Sequence, residues 1–216
     1  MQARSERTRR RLVRAGARMF DQHGYASASL EQIADAAGMT KGALYFHFAS
    51  KDGLVDAVQE QAHAVLRDFT HQQREAGVPA VQSLIDTSHW LTRVLREDPV
   101  VRAGLRITDE CSGRQPPVAD VRQAWIAEVL RLVSRARTAG ELREHLGAEG
   151  PETVLSAAVC GLAALSRTGT GTGPGDPGRR VAALWEFLLP ALVPAAHVGR
   201  YDVHSTNLCA RPVEVA

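Results

Sequence analysis

Thr40, Lys41 and Gly42 open a short predicted helix, and Tyr45 and His47 follow within it. A hydroxyl, an ammonium, a phenol and an imidazole are all hydrogen-bond donors, and together they suit a polyanion. Tyr45 and His47 can donate to phosphate oxygens. Gly42 has no side chain, so the backbone there can approach a partner closely. Lys51 opens the next predicted helix and can reach a phosphodiester backbone, where its charge would release counterions. Taken singly, each has an ordinary reading: Tyr45 as core, His47 as a surface histidine, Ser29 as a helix cap. Their joint arrangement behind a glycine turn, after an arginine-rich segment, is what points to nucleic acid.

Those donors need a scaffold. Leu12, Ala15, Met19 and Phe20 recur at helical spacing in the first segment, and Gly24 ends it. Ser29-Leu30-Glu31-Gln32 has the form of a capping box, opening a helix that runs to about Ala37. Gly38 suits a left-handed turn position. Thr40 caps a third helix from Lys41 to about His47, and Ser50 caps a fourth from Lys51 to about Glu75. The second and third helices form a helix–turn–helix packed through Ile33, Ala34, Ala37, Met39 and Leu44, with Phe20 and Ala15 behind it. In such a unit the second helix enters the major groove.

Further helices are predicted over Pro79–Glu97, Pro99–Cys111, Asp120–Ala139, Pro151–Arg167 and Pro177–Pro194, several starting on proline. No strand alternates convincingly, so the fold class is all-α. Breaks fall at Ser112–Val118, Gly147–Pro151 and Thr168–Gly178. The last holds Gly-Thr-Gly-Thr-Gly-Pro-Gly, which fits neither a dinucleotide fingerprint nor a phosphate loop and reads as a flexible loop. Residues after His197 read as a ragged tail.

The 216 residues are 44% apolar and 23% charged, an ordinary soluble composition. The longest apolar stretch, Val181–Ala196, is broken by Glu186, Pro190 and Pro194, so no membrane span is expected. No apolar signal core follows the arginine-rich start, and a reducing cytoplasm is the expected location. Cys111, Cys160 and Cys209 are too few and too scattered for a disulfide framework or a cysteine zinc site. Residues 1–52 carry nine Lys/Arg against five Asp/Glu, while the rest carry 17 against 19. A basic end on a near-neutral body fits a polyanion partner or a solvated arm. No nucleophile elbow and no metal spacing occurs, so no catalytic residue, metal or cofactor is expected. Asp109-Glu110-Cys111 reads as a solvent-facing helix end, and Cys160 as a buried small hydrophobe.

The stretch Gly24-Tyr25, Ser29-Leu30-Glu31-Gln32-Ile33-Ala34, Ala37-Gly38-Met39-Thr40-Lys41-Gly42-Ala43-Leu44-Tyr45-Phe46-His47-Phe48 and Lys51 resembles the DNA-binding domain of the TetR family. The resemblance implies a homodimer. Its N-terminal domain would read a palindromic double-stranded operator through Ser29, Thr40, Lys41, Gly42, Leu44, Tyr45, His47 and Lys51. Its C-terminal domain would hold a ligand and the dimer interface. Lys41–Phe48, Pro99–Arg106, Trp185 and Leu192-Val193-Pro194 resemble, more narrowly, the γ-butyrolactone receptors of actinomycetes. In that subgroup a tryptophan at Trp125 lines the hormone pocket, where a large flat side chain suits an alkyl tail. Without the resemblance Trp125 reads equally as core. Trp90 and Trp185 are assigned to core or interface, with Trp185 in the segment expected to pack across the dimer.

Two positions depart from the subgroup. Where its receptors often carry a glutamine and a threonine to hold the lactone head group, this chain has Ala62 and Leu165. Each lost hydrogen bond is worth roughly 1 kcal/mol. Gln61, Ser166 and Thr168 lie near in sequence and can substitute. The sequence pI of about 8.6 leans toward the basic "pseudo-receptors" of the subgroup, which answer to antibiotics. The expected organisation is a helix–turn–helix domain over 1–50, a ligand-binding and dimerisation domain over 51–196, and a tail over 197–216. The expected function is a ligand-released repressor of antibiotic or secondary-metabolite genes. Its ligand is a γ-butyrolactone, or an antibiotic in the pseudo-receptor reading. An enzyme is the weakest rival. A DNA-binding protein without a ligand shares the helix–turn–helix; the tryptophan-bearing C-terminal domain favours a sensor, and a pure dimerisation domain would look similar.

Overall fold

The computed structural model describes residues 2–113, 119–147, 149–168 and 177–205. All regular structure among them is helical. The order is α1 (Gln2–Ser27), α2 (Leu30–Ala36), α3 (Lys41–His47), α4 (Lys51–Glu75), α5 (Ala80–Glu97), α6 (Pro99–Glu110), α7 (Val121–Thr138), α8 (Glu149–Thr168) and α9 (Pro177–Leu192), then a 3₁₀ turn over Ala195–Arg200. Every helix expected from periodicity is present, with ends shifted by at most two residues except in α1, which kinks at Gly24 and resumes to Ser27 instead of stopping there. The glycine-rich run at 169–175 and most of the 112–118 break lie outside the described residues. Among the described residues no helix is long and apolar enough to cross a membrane.

The described residues form two compact units, one from 1–67 with 98–124 and one from 68–97 with 125–205. Thus α4 and α7 each supply residues to both. In the first unit α1 packs on α6 and α2, and α2 packs on α3. Its interior holds Leu12, Val13, Phe20, Ile33, Leu44, Leu54, Val58, Val101 and Leu105, each at most 1% exposed. Gly24 breaks α1 as expected, with φ +80°. A side chain there would be strained and would meet the Arg106 guanidinium and the Glu110 carboxylate at 2.7 Å. The break turns Tyr25 and Ala26 toward the start of α4.

The Asp109–Cys111 end of α6 is not a free acidic surface. The backbone N–H of Tyr25 donates to Glu110 Oε2 at 2.6 Å, and Arg106 Nε donates to Glu110 Oε1 at 2.6 Å. Asp109 pairs with Arg122, and Cys111 is buried. Cys160, expected in the core, is only partly covered, because α8 leaves one side open.

In the second unit α5 packs on α8 and α9 and is buried along most of its length. Its polar face is buried as well, and each polar group there finds a partner. Thr87, Ser88 and Thr92 hydroxyls donate to carbonyls of the turn before them. Residues 202, 203 and 205, within the stretch read as tail, bond to this face. Gln82 exchanges hydrogen bonds with the backbone of Asp202, His89 Nε2 meets the Val203 carbonyl at 2.8 Å, and Ser205 donates to Asp86 at 2.8 Å. Buried polar atoms must be paired, and the strap pairs them. Trp185, considered for a surface between copies, is 1% exposed and belongs to this core.

Candidate functional site

The geometry of α2 and α3 follows from local hydrogen bonds. Ser29 Oγ accepts from the Gln32 N–H at 3.2 Å, and the Gln32 side chain accepts from the Ser29 N–H at 3.0 Å. Thr40 Oγ1 accepts from the Ala43 N–H at 3.1 Å. Between the helices Gly38 adopts φ +60°, and the Met39 N–H closes onto the Ala34 carbonyl at 2.9 Å. Leu44 is fully buried with Ile33 and Ala34, so its side chain anchors α3 rather than facing outward. With Leu44 inward, a 3.6-residue period puts Gly42 and Phe46 on the opposite line, flanked by Lys41 and Tyr45. Burial agrees: Lys41, Gly42, Tyr45 and Phe46 are exposed, and Phe46 is 81% exposed. His47 is half-buried, edge-on to the Phe46 ring at 5.2 Å. Phe46 was missed in the sequence, although the same period that buries Leu44 turns Phe46 outward.

The two lysines differ. Lys41 pairs with Glu31 of α2 in the open, and the hydrogen bond between them raises the ammonium pKa and lowers that of the carboxyl. Lys51 turns inward instead. Its Nζ lies 4.3 Å from the Tyr25 ring centroid and donates to the Ala26 carbonyl at 3.3 Å. Burial pushes its pKa down, opposed by the carboxylates of Asp52 and Glu110. The Tyr25 hydroxyl donates to Asp52 Oδ1 at 2.7 Å. Lys51 therefore ties the end of α1 to the start of α4, and sequence spacing alone gave no sign of this.

The predicted ligand residues lie in different settings. Trp125 is buried in the second unit, edge-on to Trp90 with centroids 6.4 Å apart, and Trp90 stacks on Phe69 at 4.5 Å. The Trp125 indole N–H is buried without an acceptor. Leu165 is 50% exposed, and Ser166, also exposed, donates to the Leu162 carbonyl at 2.8 Å. Thr168 closes α8, and its side chain lies outside the described structure. Ala62 is buried in the first unit, where a Cβ on Gly104 would sit 2.9 Å from its methyl. That approach leaves Ala62 packing two helices together. A cavity of about 10 Å³, room for one water, is lined by Leu84, Thr87, Ser88, Val129 and Trp185 among others, and not by Trp125, Leu165 or Ser166. Among the described residues no cluster of His, Cys, Asp and Glu is arranged to hold a metal ion.

The profile described as "Bacterial regulatory proteins, tetR family" matches residues 12–58, which span most of α1, all of α2 and α3 and the start of α4. The A-factor receptor protein of Streptomyces griseus is 32% identical over 92% of this chain and 67% of its own length. The chain belongs to the TetR family. Like its relatives it is a TetR-type transcriptional regulator, related to the γ-butyrolactone receptors, and the family is one of regulators rather than enzymes. A γ-butyrolactone receptor described as ArpA-like superposes with a TM-score of 0.78 at 27% identity, covering 94% of this chain and 97% of that one. CprB of Streptomyces coelicolor, solved in complex with its biological operator sequence, gives a TM-score of 0.75 at 29% identity, covering 94% and 96%. The TetR-type match falls on the segment whose caps, turn and outward residues are described above.

Proposed function

We propose that this regulator is a repressor that holds a palindromic operator as a homodimer and leaves it when a small, largely apolar ligand of γ-butyrolactone type enters the second unit. Thr40 at the cap of α3, with Lys41, Gly42, Tyr45 and His47 on the helix, meets the DNA. Ser29 fixes α2, and Leu44 and Lys51 hold the reading unit in place from behind. The genes controlled are those of antibiotic or secondary-metabolite production, and the protein acts in the cytoplasm. Relatives solved as γ-butyrolactone receptors, and one solved on its operator, support this reading. Phe187 on α9 and Val154 on α8, 78% and 46% exposed, supply apolar surface for a second copy.

One observation carries the ligand reading. The Trp125 indole is 4% exposed, in an aromatic cluster, with a buried N–H that has no acceptor. A buried donor left unpaired costs about 1–3 kcal/mol. A ligand with an apolar tail and one carbonyl oxygen would satisfy it. Release requires that the ligand prefer the DNA-incompetent state, since equal affinity for both shifts nothing.

A second reading has its own support. Ala62 and Leu165 supply no hydrogen bond to a lactone head group, and Ser166 already spends its proton on Leu162. A pseudo-receptor binding an antibiotic or biosynthetic intermediate needs none of these groups. Fluorescence anisotropy on a duplex from the gene's own upstream region decides between them. Release by γ-butyrolactones supports the first reading, and release by antibiotics alone supports the second. Trp125→Ala is expected to keep DNA binding and lose release, and normal release would remove Trp125 from the ligand site.

A further inference from the structure

Phe46 has no part in the interior of the first unit, yet it is the largest apolar side chain on α3 that faces solvent, at 81% exposed. Burial of a phenylalanine is among the larger driving forces a single residue has, so such exposure marks a contact surface when it falls on a binding face. It does so here. With Leu44 fully buried, Gly42 and Phe46 occupy the outward line of α3 one turn apart. A Cβ placed on Gly42 would meet nothing within 4 Å. A helical side chain covers the turn before its own Cα, so the Phe46 ring has open space over Gly42 to occupy. The reading face is therefore a bare backbone followed by an aromatic ring, with the polar Lys41 and Tyr45 to one side.

In the major groove the base edges offer donors, acceptors and one apolar group, the C5-methyl of thymine. Phosphates and sugars offer no comparable apolar group. We propose that Phe46 is a specificity-determining residue that packs on a thymine C5-methyl in the recognised site. The inference rests on the reading of α3 as the DNA-contacting helix. Lys41 and Tyr45 supply affinity and register through polar contacts, and Phe46 adds preference for one base without a hydrogen bond. The T-shaped contact with the half-buried His47 ring holds the Phe46 ring edge and limits its rotation.

The test uses the full chain. Selection from a duplex library with a random core is expected to enrich a site containing thymine. Each thymine of that site is then replaced by deoxyuridine, which lacks only the C5-methyl. At one thymine per reading head the swap is expected to weaken wild-type binding about fourfold, which corresponds to one buried methyl at about 0.8 kcal/mol. F46A is expected to bind the thymine duplex more weakly than wild type and to be indifferent to that swap. F46L, still apolar, is expected to retain part of the preference. Equal uracil penalties in wild type and F46A, no penalty at any position, or a selected site without thymine would each overturn the inference. Failure to enrich any sequence would instead remove the DNA-binding reading beneath it. Because Phe46 packs on no core residue, circular dichroism and melting temperature of F46A are expected to match wild type.

Discussion

Arg102 Nε on α6 lies 2.8 Å from Asp21 Oδ2 on α1, and both side chains are mostly shielded from solvent. The next turn repeats the link, with Arg106 donating to the Asp21 carbonyl at 2.7 Å. Two arginines on one face of α6 thus grip α1 just before its break at Gly24. Arg102→Ala is expected to lower stability by about 1–2 kcal/mol, between the value of an exposed pair and a buried one. The double variant with Asp21→Asn should lose less than the sum of the two singles. Urea denaturation of the four proteins measures this, and strict additivity would show that the pair does not couple.

Lys41 and Lys51 should differ in their salt dependence. Each phosphate neutralised contributes about 0.9 to the slope of log K against log salt. Lys41→Ala is expected to lower the slope by about that amount. Lys51→Ala should weaken binding, because Tyr25 and Ala26 lose their tie to α4, while leaving the slope unchanged. A smaller slope in Lys51→Ala would mean that its ammonium swings out to a phosphate.

Glu31 acts as a counterion to Lys41 on the face expected to meet DNA. A carboxylate there repels phosphate and occupies the lysine until a site offers something better. Glu31→Gln is therefore expected to bind random-sequence duplex several-fold more tightly at low salt. Titration by anisotropy at two ionic strengths checks it, and weaker or equal non-specific binding would count against the idea.

His63 is half-buried on α4, and its Nε2 has no hydrogen-bond partner. Burial lowers its pKa, Arg67 lowers it further, and Asp120 opposes both. The folded state therefore takes up a proton less readily than the unfolded state, whose histidine titrates near pH 6.5. Stability linked to His63 is complete above that pH and declines as pH falls through it toward the lowered folded value. Melting temperatures at pH 7.5 and 5.5 are expected to differ less in His63→Gln than in wild type. An equal difference would assign the acid loss elsewhere.

The reading unit was legible in the sequence because its signals are local. The Ser29–Gln32 box, the Thr40 cap and the Gly38 turn act within four residues, and each is found as expected. Phe46 was legible in principle through the period set by Leu44. Lys51 was not, because its partners Tyr25 and Ala26 lie some 25 residues away and reach it only through the break at Gly24. Residues 201–205 read as tail because five residues carry no period. What orders them is the polar face of α5, more than 110 residues earlier in the chain. Ala62 and Leu165 could be placed on helices but not on faces, and burial separates them: one packs against a glycine, the other half-faces solvent.

That late pairing has a consequence for how the chain comes off the ribosome. Gln82, Asp86 and His89 wait for Asp202, Val203 and Ser205, across separations of 114 to 120 residues. Synthesis at about 5–20 residues per second leaves α5 without these partners for roughly 6–24 seconds. Contacts so distant in sequence also slow the final closure. The second unit is thus completed after the first, with its polar seam zipped by residues made more than 110 positions after α5.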